Sequence, residues 1–287
     1  MKLALHYTQS GDKKMKRCAI ALAALFACAL CAPLSGGVVA TVTGPDDTQC
    51  AMILQDNNLY TGHDNWGGRS FANAYDSNDP VYVSSAHVLL RFDLPSLSLS
   101  DPDDIVAATL TLHASSSTGS TLQLYRLLES WEEGTGSGAS SVYASETGGT
   151  GGTGFGPQDG ACDWYDRYHG STAWSVPGAV GGGSSLADPS AVYTVTAEHT
   201  ILMDVTQDLR YWYANGTNSL NYGWVITSQD TDGEWPAGIR FHSDDYIYPS
   251  YQPALAIDYV PEPSAFVVWS LVGALGISVA WWRRRAA

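Results

Sequence analysis

The chain has 287 residues, 45% of them hydrophobic and 29 of them glycine, and it sets 14 Lys and Arg against 29 Asp and Glu for a net charge of −15. Acidity of this degree repels nucleic-acid phosphates and anionic lipid, which excludes a nucleic-acid-binding protein. Plentiful Gly, Ser and Thr with few helix formers exclude a helical bundle and point to an all-β domain with long loops.

Lys13, Lys14, Lys16 and Arg17 form a basic cluster around Met15. An apolar run from Cys18 to Leu34 follows, and small residues lead to Val38-Val39-Ala40. Basic head, apolar stretch and small-residue exit make the order of a secretory signal. Cleavage is expected after Ala40, with Ala32 as the alternative, so residues 1–40 are read as a signal peptide and 41–259 as the exported domain. All four lysines precede that domain, which keeps six arginines against 27 acidic residues, a balance of −21. Such a surface suits a neutral glycan, a cation or a cationic partner, and solubility outside the cell accounts for it equally. Three cysteines leave with the leader. Cys50 and Cys162 remain, an even pair in an oxidising compartment, and a disulfide is expected between them. Closing so long a loop contributes about 4–5 kcal/mol in the chain-entropy description.

Val88 to Leu94 reads as a strand ended by Pro95. Ala108 to His113 alternates with period two, Leu110 and Leu112 inward, and Thr121 to Arg126 repeats the pattern with Leu122 and Leu124. The spacing predicts a hairpin across 115–120. Residues 132–191 are Gly- and Ser-rich, with a run from Gly148 to Gly156 and the triplet Gly181-Gly182-Gly183. They read as a long surface excursion without a packed core of its own. Strand character returns at 201–205. Val205, Leu209 and Trp212 then fall at i, i+4, i+7 before Gly216, one short amphipathic helix. Strands are expected at 222–227, 239–242 and 254–259. The sum is a β-sandwich of jelly-roll type.

No G-x-S-x-G and no H-E-x-x-H occurs, and no Cys/His spacing suggests zinc. The domain is read as non-catalytic. Asp163, Asp166 and His169 are the nearest approach to acid/base or metal chemistry, and an aspartate-rich solvated loop is the plainer reading of them. Asp230, Asp232 and Glu234 have the oxygen ligands of a calcium site but not the full loop; calcium is the one cofactor candidate. Sugar rings stack on aromatic faces, so Trp131, Trp164, Tyr165, Tyr168 and Trp174, in or beside the excursion, are the candidate carbohydrate-binding residues. For Trp131 and Trp164 the favoured alternative is loop anchoring.

Several segments of the exported part resemble, in order, the DNRLRE-type exported domains, which are similar to carbohydrate-binding modules. They are Gln55 to Tyr60, Leu89 to Leu94 with Ala107 to Leu112, Ser130 to Thr135, Trp164 to Gly178, and Asp204-Val205 with Asn221 to Trp224. The resemblance implies a sandwich in an extracellular polysaccharide setting. One departure stands out: the closing F-x-S-R-E reads Phe241-His242-Ser243-Asp244-Asp245, so its arginine is missing.

At the C-terminus Pro261-Glu262-Pro263 precedes an uncharged run from Ala265 to Trp282, closed by Arg283-Arg284-Arg285. About 18–20 apolar residues suffice to cross a bilayer, and the arginines hold their end in the cytoplasm. This three-part order resembles the PEP-CTERM sorting signal, and residues 260–287 are so assigned. The resemblance implies an exosortase-type processing enzyme as partner, a transient inner-membrane anchor, and delivery to the cell surface or extracellular matrix. The extracellular polysaccharide itself is the second expected partner.

Overall fold

The structure, a computed structural model, describes residues 37–56, 66–68, 70–76, 84–117, 120–135, 159–195, 200–229, 238–262 and 265–286. In chain order the strands are β1 (Val38–Thr43), β2 (Thr48–Asp56), β3 (Phe71–Asp76), β4 (Ser84–Phe92), β5 (Ile105–Ser117), β6 (Thr121–Arg126) and β7 (Asp166–Tyr168). They continue with β8 (Thr172–Ala173), β9 (Ala191–Thr194), β10 (Thr200–Asp204), β11 (Trp224–Gln229), β12 (Gly238–His242) and β13 (Ala254–Tyr259). Two α-helices are described, α1 (Thr206–Ala214) and α2 (Ala265–Ala286). The chain is thus predominantly β, and its strand pairs are antiparallel.

One group of strands runs β1-β13-β5-β10. The other holds β9-β6-β11-β4-β2, with β3 joining β4 to β12. The long β5 serves both, since its Ile105–His113 part pairs with β13 and β10 while 114–117 reach β12. Alternate residues point inward. Leu110 and Leu112 of β5, Ile201 and Met203 of β10, and Leu255 and Ile257 of β13 therefore share one buried cluster with Val88, Leu90, Leu122, Leu124, Ile226 and Phe241. Helix α1 closes this core with Leu209 and Trp212, both fully buried. The Trp212 ring meets Trp224 edge-on at 4.9 Å. Asp208 of the helix accepts from Trp224 Nε1 at 2.7 Å and pairs with Arg126 at 3.3 Å, so a buried carboxylate is fully engaged.

The opposite face of β2, β4 and β11 is covered too. Ala51, Ile53, Leu89 and Val225 pack with Trp131, Cys162, Trp164, Trp174 and Ala179. Strands buried on both faces carry unbroken apolar runs, which accounts for Val88-Leu89-Leu90 and Trp224-Val225-Ile226. The excursion is therefore no bare surface loop. Residues 136–158 lie outside the described residues, but 159–190 fold back and form an outer layer with a core of its own.

Two further expectations are corrected. Strands β5 and β6 do not form a hairpin: β6 pairs with β11 and β9. Matching parity in two neighbouring strands serves a crossing between sheets as well as a hairpin. The expected disulfide is absent, because Cys50 and Cys162 are both free and buried. Cys50 points into the inner core and Cys162 belongs to the outer cluster, so the sheet stands between them. Separately, β1 begins at Val38, within residues 1–40, and pairs with β13 from Val38↔Tyr259 to Thr43↔Ala254. Cleavage after Ala40 would remove half of that strand, whereas cleavage after Ala32 leaves it whole. The rest of the leader lies outside the described residues.

Candidate functional site

Burial sorts the aromatic residues singled out in the sequence. Trp131 is fully buried and donates from Nε1 to Tyr222 O at 2.8 Å. Trp164 is held between His87, 4.8 Å away ring to ring, and Gly178, where an added Cβ would stand 2.7 Å from the indole. Trp174 is buried and donates to Asp163 O at 2.9 Å. All three indoles are buried. Tyr165 and Tyr168 are half-buried; Tyr165 packs on the outer cluster and Tyr168 lies under the Arg167 guanidinium at 5.3 Å.

Asp163, Asp166 and His169 do come together, their ligand atoms within 4.8 Å of one another. The reason is local. Asp163 Oδ1 accepts the backbone N–H groups of Tyr165 and Asp166, both at 2.7 Å, and Oδ2 lies 2.8 Å from His169 Nδ1. The buried carboxylate thereby fastens the turn that carries β7 and β8, and its oxygens face its own loop.

The loop after β12 gathers more exposed aromatic surface. His242 stacks on Tyr246 at 3.9 Å, Phe71 meets both rings, and Tyr251 lies 5.4 Å from His113 and 5.5 Å from His242. Tyr248 packs edge-on against Tyr246 at 5.6 Å and is 56% exposed, and Tyr251 is 48% exposed. Gln252 fixes the loop by donating to Asp244 O and Tyr246 O at 2.6 and 2.8 Å. The result is a tyrosine-rich platform with polar edges, whose open faces are of the kind that stack on pyranose rings. Sequence reading passed over it. The available signal was the density of Asp244-Asp245-Tyr246-Ile247-Tyr248-Pro249-Ser250-Tyr251, too short and irregular for any periodicity.

The same loop carries Asp244, which is buried, and Asp245, which like Glu133 is half-buried. Glu133 Oε1 accepts the backbone N–H of Cys50 at 2.7 Å. Burial, and next the charge of Asp244, push Glu133 up to about 9. Burial, then Asp245, push Asp244 up to about 8, and burial raises Asp245 as well. The Cys50 thiol, fully buried among these carboxylates, is raised well above its ordinary value, first by burial.

Of the sorting motif, Pro261 is half-buried and the Glu262 backbone N–H donates to Ser98 O at 2.8 Å, while Pro263 lies outside the described residues. Asp230, Asp232 and Glu234 also lie outside them. Helix α2 has 22 residues with Arg283, Arg284 and Arg285 in its last turn, and Arg285 covers the Trp281 ring at 3.6 Å. Among the described residues no helix is long and apolar enough to cross a membrane; the side chains of 265–271, which open α2, lie outside that set. No family model and no curated protein matches the chain.

Proposed function

We propose that the chain is an exported cell-surface or matrix protein whose β-domain, a sandwich of jelly-roll type, associates with neutral extracellular polysaccharide without acting on it chemically. The observation that carries this reading is the pair of exposed tyrosines, Tyr248 and Tyr251, set edge-on around the half-buried Tyr246. A domain with a balance of −21 suits a neutral glycan better than an acidic one. The non-catalytic part of the reading rests on Asp163, whose carboxylate oxygens already serve its own turn.

Export and retention follow from the two ends of the sequence. The basic and apolar leader sends the chain out, and residues 260–287 act as a PEP-CTERM type signal handled by an exosortase-type enzyme. In this reading α2, about 33 Å long at 1.5 Å per residue, spans the membrane until processing. The likeness to DNRLRE-type domains agrees with a polysaccharide setting.

The test is affinity electrophoresis of the full chain in detergent through gels containing neutral polysaccharides. Retardation should fall at least tenfold in Tyr248→Ala combined with Tyr251→Ala, and stay unchanged in Tyr168→Ala. Equal retardation of all three proteins would rule out the platform, and no retardation in any gel would favour a purely structural envelope protein.

A further inference from the structure

Among the described residues, β1, β2, β9 and β10 have one strand neighbour each. An open strand edge is a template for pairing with another chain, and folded proteins guard it by cover, brevity, charge, proline or a bulge. Three of these four edges are guarded. Beside β2, Trp66 bridges to Met52, and Glu133 Oε1 accepts the Cys50 N–H at 2.7 Å. Strand β9 has four residues and is entered from Asp188-Pro189. Strand β10 has five and carries Asp204. Strand β1 has none of these devices. Val38-Val39-Ala40-Thr41-Val42-Thr43 holds no charge and no proline, is β-branched at all but Ala40, and pairs with β13 along its whole length without a bulge. Val38 and Val39 are 42% and 61% exposed, and Thr41 and Thr43 are exposed as well. In an antiparallel strand with one neighbour, the N–H and C=O groups of alternate residues point to the open side.

We infer that β1 pairs antiparallel with β1 of a second copy of this chain, about a two-fold axis at Ala40, so that two β1-β13-β5-β10 sheets join into one. A row of outward backbone donors and acceptors is matched by another extended strand, not by a helix or a compact ligand. Opposed residues of an antiparallel pair lie on the same face of the sheet. An axis at Ala40 meets that condition: Val39 stands opposite the partner's Thr41 on the outer face, and Val38 opposite the partner's Val42 on the inner one. No charge enters the ladder. Charge also selects the occupant. The exported part has a balance of −21, so two copies repel and associate best where neither presents charge. A cationic partner, which suits the rest of that surface, finds no carboxylate in β1. Because both copies use the same strand, the pairing closes at two chains. One strand pair buries less than about 1,200 Å², which makes the dimer a weak one. The inference stands on the edge strand and does not depend on the polysaccharide reading.

The experiment is sedimentation velocity of the full chain in density-matched detergent from about 1 to 200 µM, the range of weak association, at low and high NaCl. Amide hydrogen exchange is measured at both ends of the concentration range. A monomer–dimer equilibrium is expected. It should be about threefold tighter at roughly 0.5 M than at roughly 0.05 M salt, because screening over about 4 Å in place of about 14 Å relieves the repulsion. Exchange within 38–43 should slow as the dimer forms. Val39→Lys combined with Thr41→Lys sets like charges opposite one another across the axis and should weaken association about tenfold. Its Tm should stay within about 2 °C, since both side chains are already exposed. Leu202→Lys, on the exposed face of β10, should dimerise like the unaltered chain. Monomer at every concentration, oligomers beyond two, association that weakens with salt, or a full dimer in the double lysine variant (the outcome if α2 joins the copies) would each overturn the inference. Should that variant fail to fold, the exchange of the unaltered chain decides, and slowing that spares 38–43 sinks the idea.

Discussion

The inner core and the outer layer share one sheet but are built by different means. Between the sheets, aliphatic residues recur every second position, as Leu110 and Leu112 or Leu255 and Ile257 do, and each strand presses a continuous ridge on its neighbours. On the far face of β2, β4 and β11 the covering chain has little regular structure, and three indoles, Trp131, Trp164 and Trp174, fill the space. The ring nitrogens of Trp131 and Trp174 and the close approach of Gly178 to Trp164 fix where they sit. An irregular segment can thus complete a core when a few large side chains replace many small periodic ones, because apolar area removed from water counts regardless of backbone type.

If the two regions form one cooperative unit through the shared sheet, Trp131→Ala should cost the whole domain about 3–5 kcal/mol. Trp212→Ala in the inner core should cost a similar amount. Urea unfolding followed by fluorescence and circular dichroism should give one coincident transition for both variants. Two separated transitions in Trp131→Ala would show that the layers melt independently.

Asp208→Ala, confined to the inner core, strips Trp224 and Arg126 of their buried partner. Breaking such a pair costs about 3–5 kcal/mol, near the top of that range only if the guanidinium cannot turn to water. Replacing Arg126 by Met in the same background should recover part of the loss, and failure to do so would remove the stranded charge as its cause.

Gly178→Ala probes the outer layer by geometry alone. Its φ is +81° and its Cβ would stand 2.7 Å from Trp164. A loss of about 1–3 kcal/mol is expected, with amide exchange accelerated first within 159–190. Uniform acceleration across β5 and β13 would mean that the layers cannot open separately.

The smallest effect belongs to Glu129, which ties the outer layer to the end of β6 by accepting from Ser175 N, Ser175 Oγ and Ser184 Oγ at 3.0, 2.7 and 2.8 Å. Burial alone would raise its pKa, but these donors outweigh it and hold the carboxyl below its ordinary 4.5. A carboxylate depressed in the folded state contributes stability above its unfolded value and loses it as pH falls. Glu129→Gln should therefore cost about 1 kcal/mol at pH 7, with the difference from the unaltered chain shrinking below about pH 4.5. A constant gap in melting temperature from pH 7 to pH 3 would assign the loss to packing instead.

The inner sandwich was legible because a half-buried strand has to write its burial into alternate residues: β6, β13 and the short helix α1 stand close to where periodicity places them. The outer layer was hidden for the opposite reason. Ala161, Cys162 and Trp164 are buried within a segment whose average composition is that of a loop, and average composition carries no record of which few positions turn inward. Cysteine parity misled because the count ignores the sheet lying between Cys50 and Cys162. The tyrosine cluster depends on β3, β12 and the loop after it meeting in space, which no window along the chain contains.

Strand β13 is inserted between β1, the first strand of the domain, and β5. As the chain is synthesised from its N-terminus, β1 must wait without its neighbour until residue 259 has been made. The sheet is therefore complete only when the whole domain exists, and its closure sets Val38 and Tyr259, the first and last strand residues of the domain, side by side.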